Sequence, residues 1–242
     1  MIDKSELIWA DEGADDIVQY DFIFPDNRVF VFKVSPTREI KFLDSPELPD
    51  WTLLDHHKCP GCTLDSATIN RCPAAVDLSE MLILFDEVKS FEQIKIKVTT
   101  AQRVVLRDCD VQTGLQSFIG LVMASSGCPV LAKFKPMAVN HLPFSSAEET
   151  LYRTCANYLL EQFFKKRNGQ KPDWEFKGLT EFYYELQSLN TNFAKRFSRI
   201  VKKDANINAI IRLFSISALV HVALDEGLNA LEEIYDFVKN EK

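Results

Sequence analysis

The chain of 242 residues is short of several things, and each shortage excludes something. It has no Walker loop, no G-x-G-x-x-G fingerprint, no H-E-x-x-H and no G-x-S-x-G. The common nucleotide-binding, zinc-protease and serine-hydrolase signatures are therefore absent. No internal repeat and no low-complexity tract interrupts it, so it is not a solenoid or a linker-rich array. Glycine is scarce, 8 residues against 18 phenylalanines, which suits a filled interior better than a loop-rich scaffold.

Long apolar runs are missing too. The longest, LFSISALVHVAL from Leu213 to Leu224, is broken by two serines and a histidine and falls short of a membrane span. The start, MIDKSELIWADEGADD, is acidic where a secretory leader would be basic and then apolar. A cytoplasmic protein without membrane contact is the expectation. In that compartment six cysteines read as free thiols or metal ligands, not as a disulfide framework. The formal charge of −7 gives no general affinity for nucleic acid.

What is present is ordinary in bulk and uneven in detail. Apolar residues make up 46% and charged residues 26%, as in a soluble domain. Residues 1–55 carry 13 acids and 5 bases, whereas residues 161–203 carry 10 bases and 5 acids. Along the chain, IVQYDFIF (17–24) and VFVFKVS (29–35) flank a Pro-Asp-Asn turn and predict a hairpin, with Phe30 and Phe32 on one face. A short strand is expected at EIKFL, then a helix after Pro73, strands at IKIKVTT and VVLRDC, and a buried helix in QTGLQSFIGLVMA ended near Gly127.

After residue 145 the pattern is helical. Ser145 or Ser146 with Glu148 or Glu149 three residues on predicts a capping box. The helix that follows is expected to bury Leu151, Cys155, Tyr158, Leu159 and Phe163. A second, near 180–203, carries the stripe Phe182, Tyr183, Leu186, Leu189, Phe193, Phe197 and Ile200. Two more are expected at 206–225 and 228–239. The fold class expected is α+β: residues 1–145 form a mixed region with an amino-terminal hairpin and a Cys/His knuckle, and residues 146–242 a bundle of about four helices packed on it.

One stretch concentrates chemistry. DHHKCPGCTLDSATINRCP, residues 55–73, holds His56, His57, Cys59, Cys62 and Cys72 in the order H-H-x-C-x2-C-x9-C. A Cys-x-x-Cys turn built on Pro60 and Gly61 can aim two sulfurs at one ion. Tetrahedral zinc takes four such N or S donors. Cys59, Cys62 and Cys72 supply three; His56, His57, Cys109, Cys128 or His141 could supply the fourth. An iron–sulfur cluster is a less favoured cofactor, since the local run lacks a fourth sulfur. Redox chemistry of the CxxC pair or coincidental buried thiols are the blander alternatives.

A second candidate pairs Cys128, before Pro129 at a helix start, with His141 thirteen residues on, as nucleophile and base. Buried structural roles explain both more simply. His221 reads as a core histidine. Lys195, Arg196, Arg199, Lys202 and Lys203 gather at a helix end, where cations complement the macrodipole without any nucleic acid. The motif order HHKCPGC, NRCP, SGCP, PMAVNHLPF, EETLYR and YLLEQFF, over about residues 53–165, resembles an uncharacterised bacterial family, a domain of unknown function. The resemblance implies a bacterial source and no assigned activity. The expected role is that of a zinc-binding protein acting through protein-partner binding or regulation. A zinc- or thiol-dependent enzyme, or a nucleic-acid-associated regulator, is the alternative.

Overall fold

The computed structural model describes residues 6–42, 44–197 and 204–235. It is α+β. The elements are β1 (Glu6–Trp9), β2 (Val18–Ile23), β3 (Val29–Val34), α1 (Pro73–Leu84), β4 (Gln93–Thr99), β5 (Val104–Asp110), α2 (Val111–Ala124), α3 (Lys135–Val139), α4 (Ala147–Arg167), α5 (Lys177–Phe197), α6 (Asp204–Asp225) and α7 (Asn229–Glu232). The chain divides into two units, Met1–Phe144 with Thr191–Leu213, and Ser145–Asn190 with Phe214–Lys242. The division falls inside α5 and α6.

In the first unit the strands order β1-β3-β2-β4-β5. The hairpin β2–β3 forms as expected, Tyr20 opposite Phe32 and Phe22 opposite Phe30, and β2 also pairs with β4. Strand β1 runs parallel to β3 at the edge, inside the acidic start that carries no strand signal beyond Leu7, Ile8 and Trp9. Residues 39–42, expected as a short strand, form none. That stretch has its amides turned to other work: Glu39 N donates to Asp11 and Arg38 N to Ser35 O.

Alternation gives the sheet one apolar face. Tyr20, Phe22, Phe32, Ile94, Ile96 and Val98 are buried there against α1 and α2. Phe118 of α2 meets Phe32 at 4.8 Å and Tyr20 at 5.3 Å between ring centroids, and Phe85, just after α1, meets Phe22 at 5.2 Å. Helix α2 comes so close to β4 that a Cβ on Gly114 would stand 1.9 Å from Ile96 Cδ1 and 3.0 Å from Phe22 Cε1, so any larger residue would have to displace these core side chains. The opposite face is charged, with Lys33–Glu6 at 2.6 Å and Lys95–Asp108 at 3.5 Å.

In the second unit α4 opens with the expected capping box: Ser146 Oγ accepts from Glu149 N, and Glu149 accepts from Ser146 N. Its buried side differs from expectation. Leu151, Thr154, Cys155 and Gln162 are buried, while Leu159 and Phe163 are exposed. Asp173 decides the rotation: its Oδ2 accepts from Tyr158 Oη (2.8 Å) and Gly178 N (2.8 Å), and its N–H donates to Gln162 Oε1 (3.0 Å). That draws the 151–155–158–162 stripe inward and leaves Leu159 and Phe163 one residue, about 100°, off it. On α5, Phe182, Tyr183, Leu186, Leu189 and Phe193 are buried as expected. The Phe197 side chain and Ile200 lie outside the described residues. His221 is half-buried, 3.5 Å from Asp225, with Nδ1 unpaired.

Among the described residues α6 is long and apolar enough to cross a membrane by length and composition, although the broken apolar run within it argued otherwise; 22% of that stretch is buried. Its first turns are tied into the first unit by polar bonds. Asp204 accepts from Ser90 N (3.0 Å) and Ser90 Oγ (2.7 Å), and Asn206 Nδ2 donates to Leu82 O (2.8 Å).

Candidate metal centre

The stretch from 49 to 72 is a loop closed at its base. Leu53 and Arg71 form an isolated antiparallel bridge. Leu54 N donates to Asn70 O (2.8 Å) and Cys72 N to Thr52 O (2.7 Å). This pairing sets Cys72 beside the base of the loop. Pro73 then occupies the first turn of α1, with Cys72 at its N-cap. At the loop's other side the Cys-Pro-Gly-Cys turn closes through Cys62 N to Cys59 O (3.0 Å).

A fourth cysteine arrives from elsewhere in the chain. Gly127, with φ +76°, turns the backbone after α2; a Cβ there would strike Ile40 Cγ2 at 2.4 Å. Cys128 and Pro129 follow and open a helical turn, with Ala132 N bonded to Cys128 O at 2.9 Å. The Cys-Pro-Gly-Cys turn lies against it, a Gly61 Cβ falling 3.7 Å from Val130 Cγ2. Two Cys-Pro helix starts and one Cys-x-x-Cys turn so meet at one corner.

The thiols bear on one another. Burial pushes Cys59 up to about 12, with Cys72, Cys128 and Cys62 adding to the rise and Arg196 opposing it. Burial likewise raises Cys72, against Arg196 and the amides of Ala75 and Ala74. The Cys72 sulfur makes no cap hydrogen bond of ordinary geometry, yet those two amides favour its thiolate. Burial raises Cys128 to about 11, Cys72 and Cys62 adding to it and the Leu131 and Val130 amides opposing it. The helix-start amides act on Cys128 in the expected sense, but desolvation outweighs them, so the thiol is not activated. Among the described residues no group of three His, Cys, Asp or Glu side chains stands so that it could hold a metal ion. The four sulfurs lie in electrostatic reach of each other, not in closed coordination.

The other expected donors are His56, His57, Cys109 and His141. His56 and His57 are exposed, their rings 4.8 Å apart edge to face, and His57 takes φ +52°. Cys109 is on β5, where burial raises it to about 11, Arg107 opposing the rise and Asp110 adding to it. His141 Nε2 is 2.6 Å from Tyr20 Oη, which also lies 2.7 Å from Ser117 Oγ; that hydroxyl accepts from Phe144 N at 2.9 Å. This network seats the 141–144 segment on the aromatic core.

Arg196 was grouped by sequence with surface bases at a helix end; it is instead 1% exposed. Its Nη1 donates to Trp51 O (2.9 Å) and Leu53 O (2.7 Å), and its Nη2 to Leu54 O (3.0 Å). The signal was in the spacing. Arg196 stands three residues after Phe193 and seven after Leu189, on the apolar stripe. Arg71 holds the same turn, Nη1 donating to Thr52 Oγ1 (2.6 Å) and Pro49 O (3.1 Å), with Asp44 at 3.1 Å from its Nε. Lys195 is exposed; Arg199, Lys202 and Lys203 lie outside the described residues.

A family model described as a domain of unknown function, DUF6901, matches residues 18–236. The chain belongs to that family. No curated protein and no solved structure matches it.

Proposed function

We propose that the protein is a structural zinc protein of a bacterial cytoplasm that works by engaging a protein partner, its metal held by Cys59, Cys62, Cys72 and Cys128. The convergence of four cysteine sulfurs from three chain segments carries this reading. Binding would draw in sulfurs already neighbouring and displace their protons. Soft sulfur donors suit zinc in tetrahedral geometry. Four protein sulfurs leave no position for a reactive water, so the role is structural and not hydrolytic. Exposed Leu160, Phe163 and Tyr184 in the second unit supply apolar surface of the kind partners cover. Six free thiols fit a reducing compartment.

The enzyme alternative has less support, because Cys128 is surrounded by sulfurs and its thiol is raised. The nucleic-acid alternative loses Arg196 from its surface set. An iron–sulfur cluster would use the same four sulfurs. The test is elemental analysis of the full chain purified under reducing conditions, followed by cobalt substitution. About one zinc per chain is expected, with intense sulfur-to-cobalt absorption. Cys128→Ser should lose it as completely as Cys72→Ser. Iron with labile sulfide would replace zinc by a cluster. A metal-free protein whose four thiols alkylate freely in added zinc would falsify the proposal.

A further inference from the structure

Arg196 presents a charge problem that its hydrogen bonds do not solve. A guanidinium stays protonated at any pH a protein meets. This one is 1% exposed, and its Nε has no hydrogen-bond partner. Three backbone carbonyls satisfy its terminal nitrogens, but carbonyls are dipoles and do not neutralise a cation. Among the described residues no carboxylate forms an ion pair with it. Buried Arg71 and half-buried Arg38 differ in this respect, since Asp44 pairs with the first and Asp77 with the second. Burying a charge without a counter-charge is strongly unfavourable.

The groups that do sense Arg196 are sulfurs, those of Cys59 and Cys72. As thiols they are neutral and cannot balance it. When four thiols bind a divalent ion they release four protons, and the loaded shell carries a net charge of −2. We infer that Arg196 is the built-in counter-ion of the metal–thiolate shell, a positioning residue that couples a loaded site to the seating of α5 on the 51–54 turn. The inference rests on the metal reading above and adds to it a residue outside the coordination shell.

Two consequences follow from one arrangement. The guanidinium stabilises the anionic shell, so zinc should bind more tightly with the charge than without it. Metal loss would leave the cation unbalanced, so its carbonyl clamp should loosen. The 51–54 turn and the 191–196 end of α5 should then open together, while the aromatic core of the same unit stays closed. Residues outside a metal shell commonly change affinity by about 10–100-fold.

The experiment compares zinc affinity by chelator competition for the full-length wild type, Arg196→Gln and Arg196→Lys at one pH. Glutamine keeps hydrogen-bonding capacity without charge, and lysine keeps charge without the fork. We expect Arg196→Gln to bind zinc about tenfold or more weakly, and Arg196→Lys to remain within about threefold of wild type. Equal losses in both variants would mean that the fork alone matters, and unchanged affinity in both would mean that neither property does. Either result overturns the inference and leaves the metal site standing. A wild type that binds no zinc overturns both. Should Arg196→Gln fail to fold, hydrogen exchange on the wild type gives a second reading. Chelation should speed exchange at 51–54 and 191–196 and leave β2, β4 and α2 protected. Unchanged exchange at 191–196 after zinc removal also overturns it.

Discussion

Two parts of the first unit are built on opposite principles. Between the sheet and helices α1 and α2, Phe22, Phe24, Phe32, Phe85 and Phe118 are each 2% exposed or less, and their rings lie edge to face or stacked. Nothing there needs a charge. At the 49–72 and 128 corner the buried groups are Arg71, Arg196, Thr52, Cys72 and Cys128, with Cys59 and Cys62 half-buried beside them, and the two guanidinium groups are held by carbonyl oxygens and short polar bonds. The first part is stable by burying apolar area. The second buries polar groups, among them a guanidinium that no carboxylate of the described residues pairs with. On the metal reading proposed above, a ligand would sit in this second part.

The largest effect should come from the apolar part. Phe118→Ala empties the space between Tyr20, Phe22 and Phe32, and is expected to cost about 3–5 kcal/mol in denaturant unfolding whether or not zinc is present. A cost under about 1 kcal/mol would mean that α2 is not packed as described.

Next comes a buried ion pair at the edge of the polar corner. Burial pushes the Asp77 carboxyl up to about 6, against the pull of Arg38 beside it. A folded pKa above the unfolded value of 3.8 means that the fold holds this proton more tightly than the open chain does. Its stabilising contribution is complete below the unfolded value and is lost as pH rises through about 6. Across that window the loss approaches about 3 kcal/mol. Asp77→Asn should flatten the corresponding slope in stability between pH 4 and 6.5. The same slope in both proteins would assign it to other carboxylates.

Zinc itself should act on one part and not on the other. At free zinc about a hundredfold above its dissociation constant, stability should rise by about 2.7 kcal/mol. Cys72→Ser should abolish that rise, and Cys155→Ser should keep it, since burial alone raises Cys155 and no neighbouring thiol contributes. A zinc response that survives Cys72→Ser would move the site away from this corner.

The apolar part was the legible one. Alternation in VQYDFI and VFVFKV and the spacing of Leu115, Phe118, Ile119 and Val122 specify faces directly, because period and burial are one signal. The polar corner was legible only in part. Cys-x-x-Cys announces itself by spacing, and Cys128 stood among the candidate fourth donors; what brings its segment toward the Cys-x-x-Cys turn is Gly127 turning the chain back after α2, a tertiary event. Strand β1 escaped notice because four residues pairing in parallel at an edge carry little periodic pattern. Arg196 was hidden by its type: a cation next to Lys195 reads as surface, and only its place on the stripe said otherwise.

The smallest effect would test whether the contrast is complete. One polar group does enter the apolar part, the Tyr20 hydroxyl, on a side chain 0% exposed. Desolvation drives its pKa well above the ordinary tyrosine value, with the Ser117 bond opposing, so it stays neutral throughout the folded range. Tyr20→Phe keeps the ring against Phe118 and removes only the oxygen between Ser117 and His141. Ser117 Oγ would still accept from Phe144 N, and His141 is only half-buried, so neither is stranded far from other partners or water. The expected cost is therefore about 1 kcal/mol, that of one net hydrogen bond. It should be accompanied by faster exchange of the Phe144 amide as the 141–144 segment loosens. A loss near 3 kcal/mol would show that the aromatic part, too, depends on a polar anchor. The two parts would then differ in the number of buried polar bonds they rely on, and not in kind.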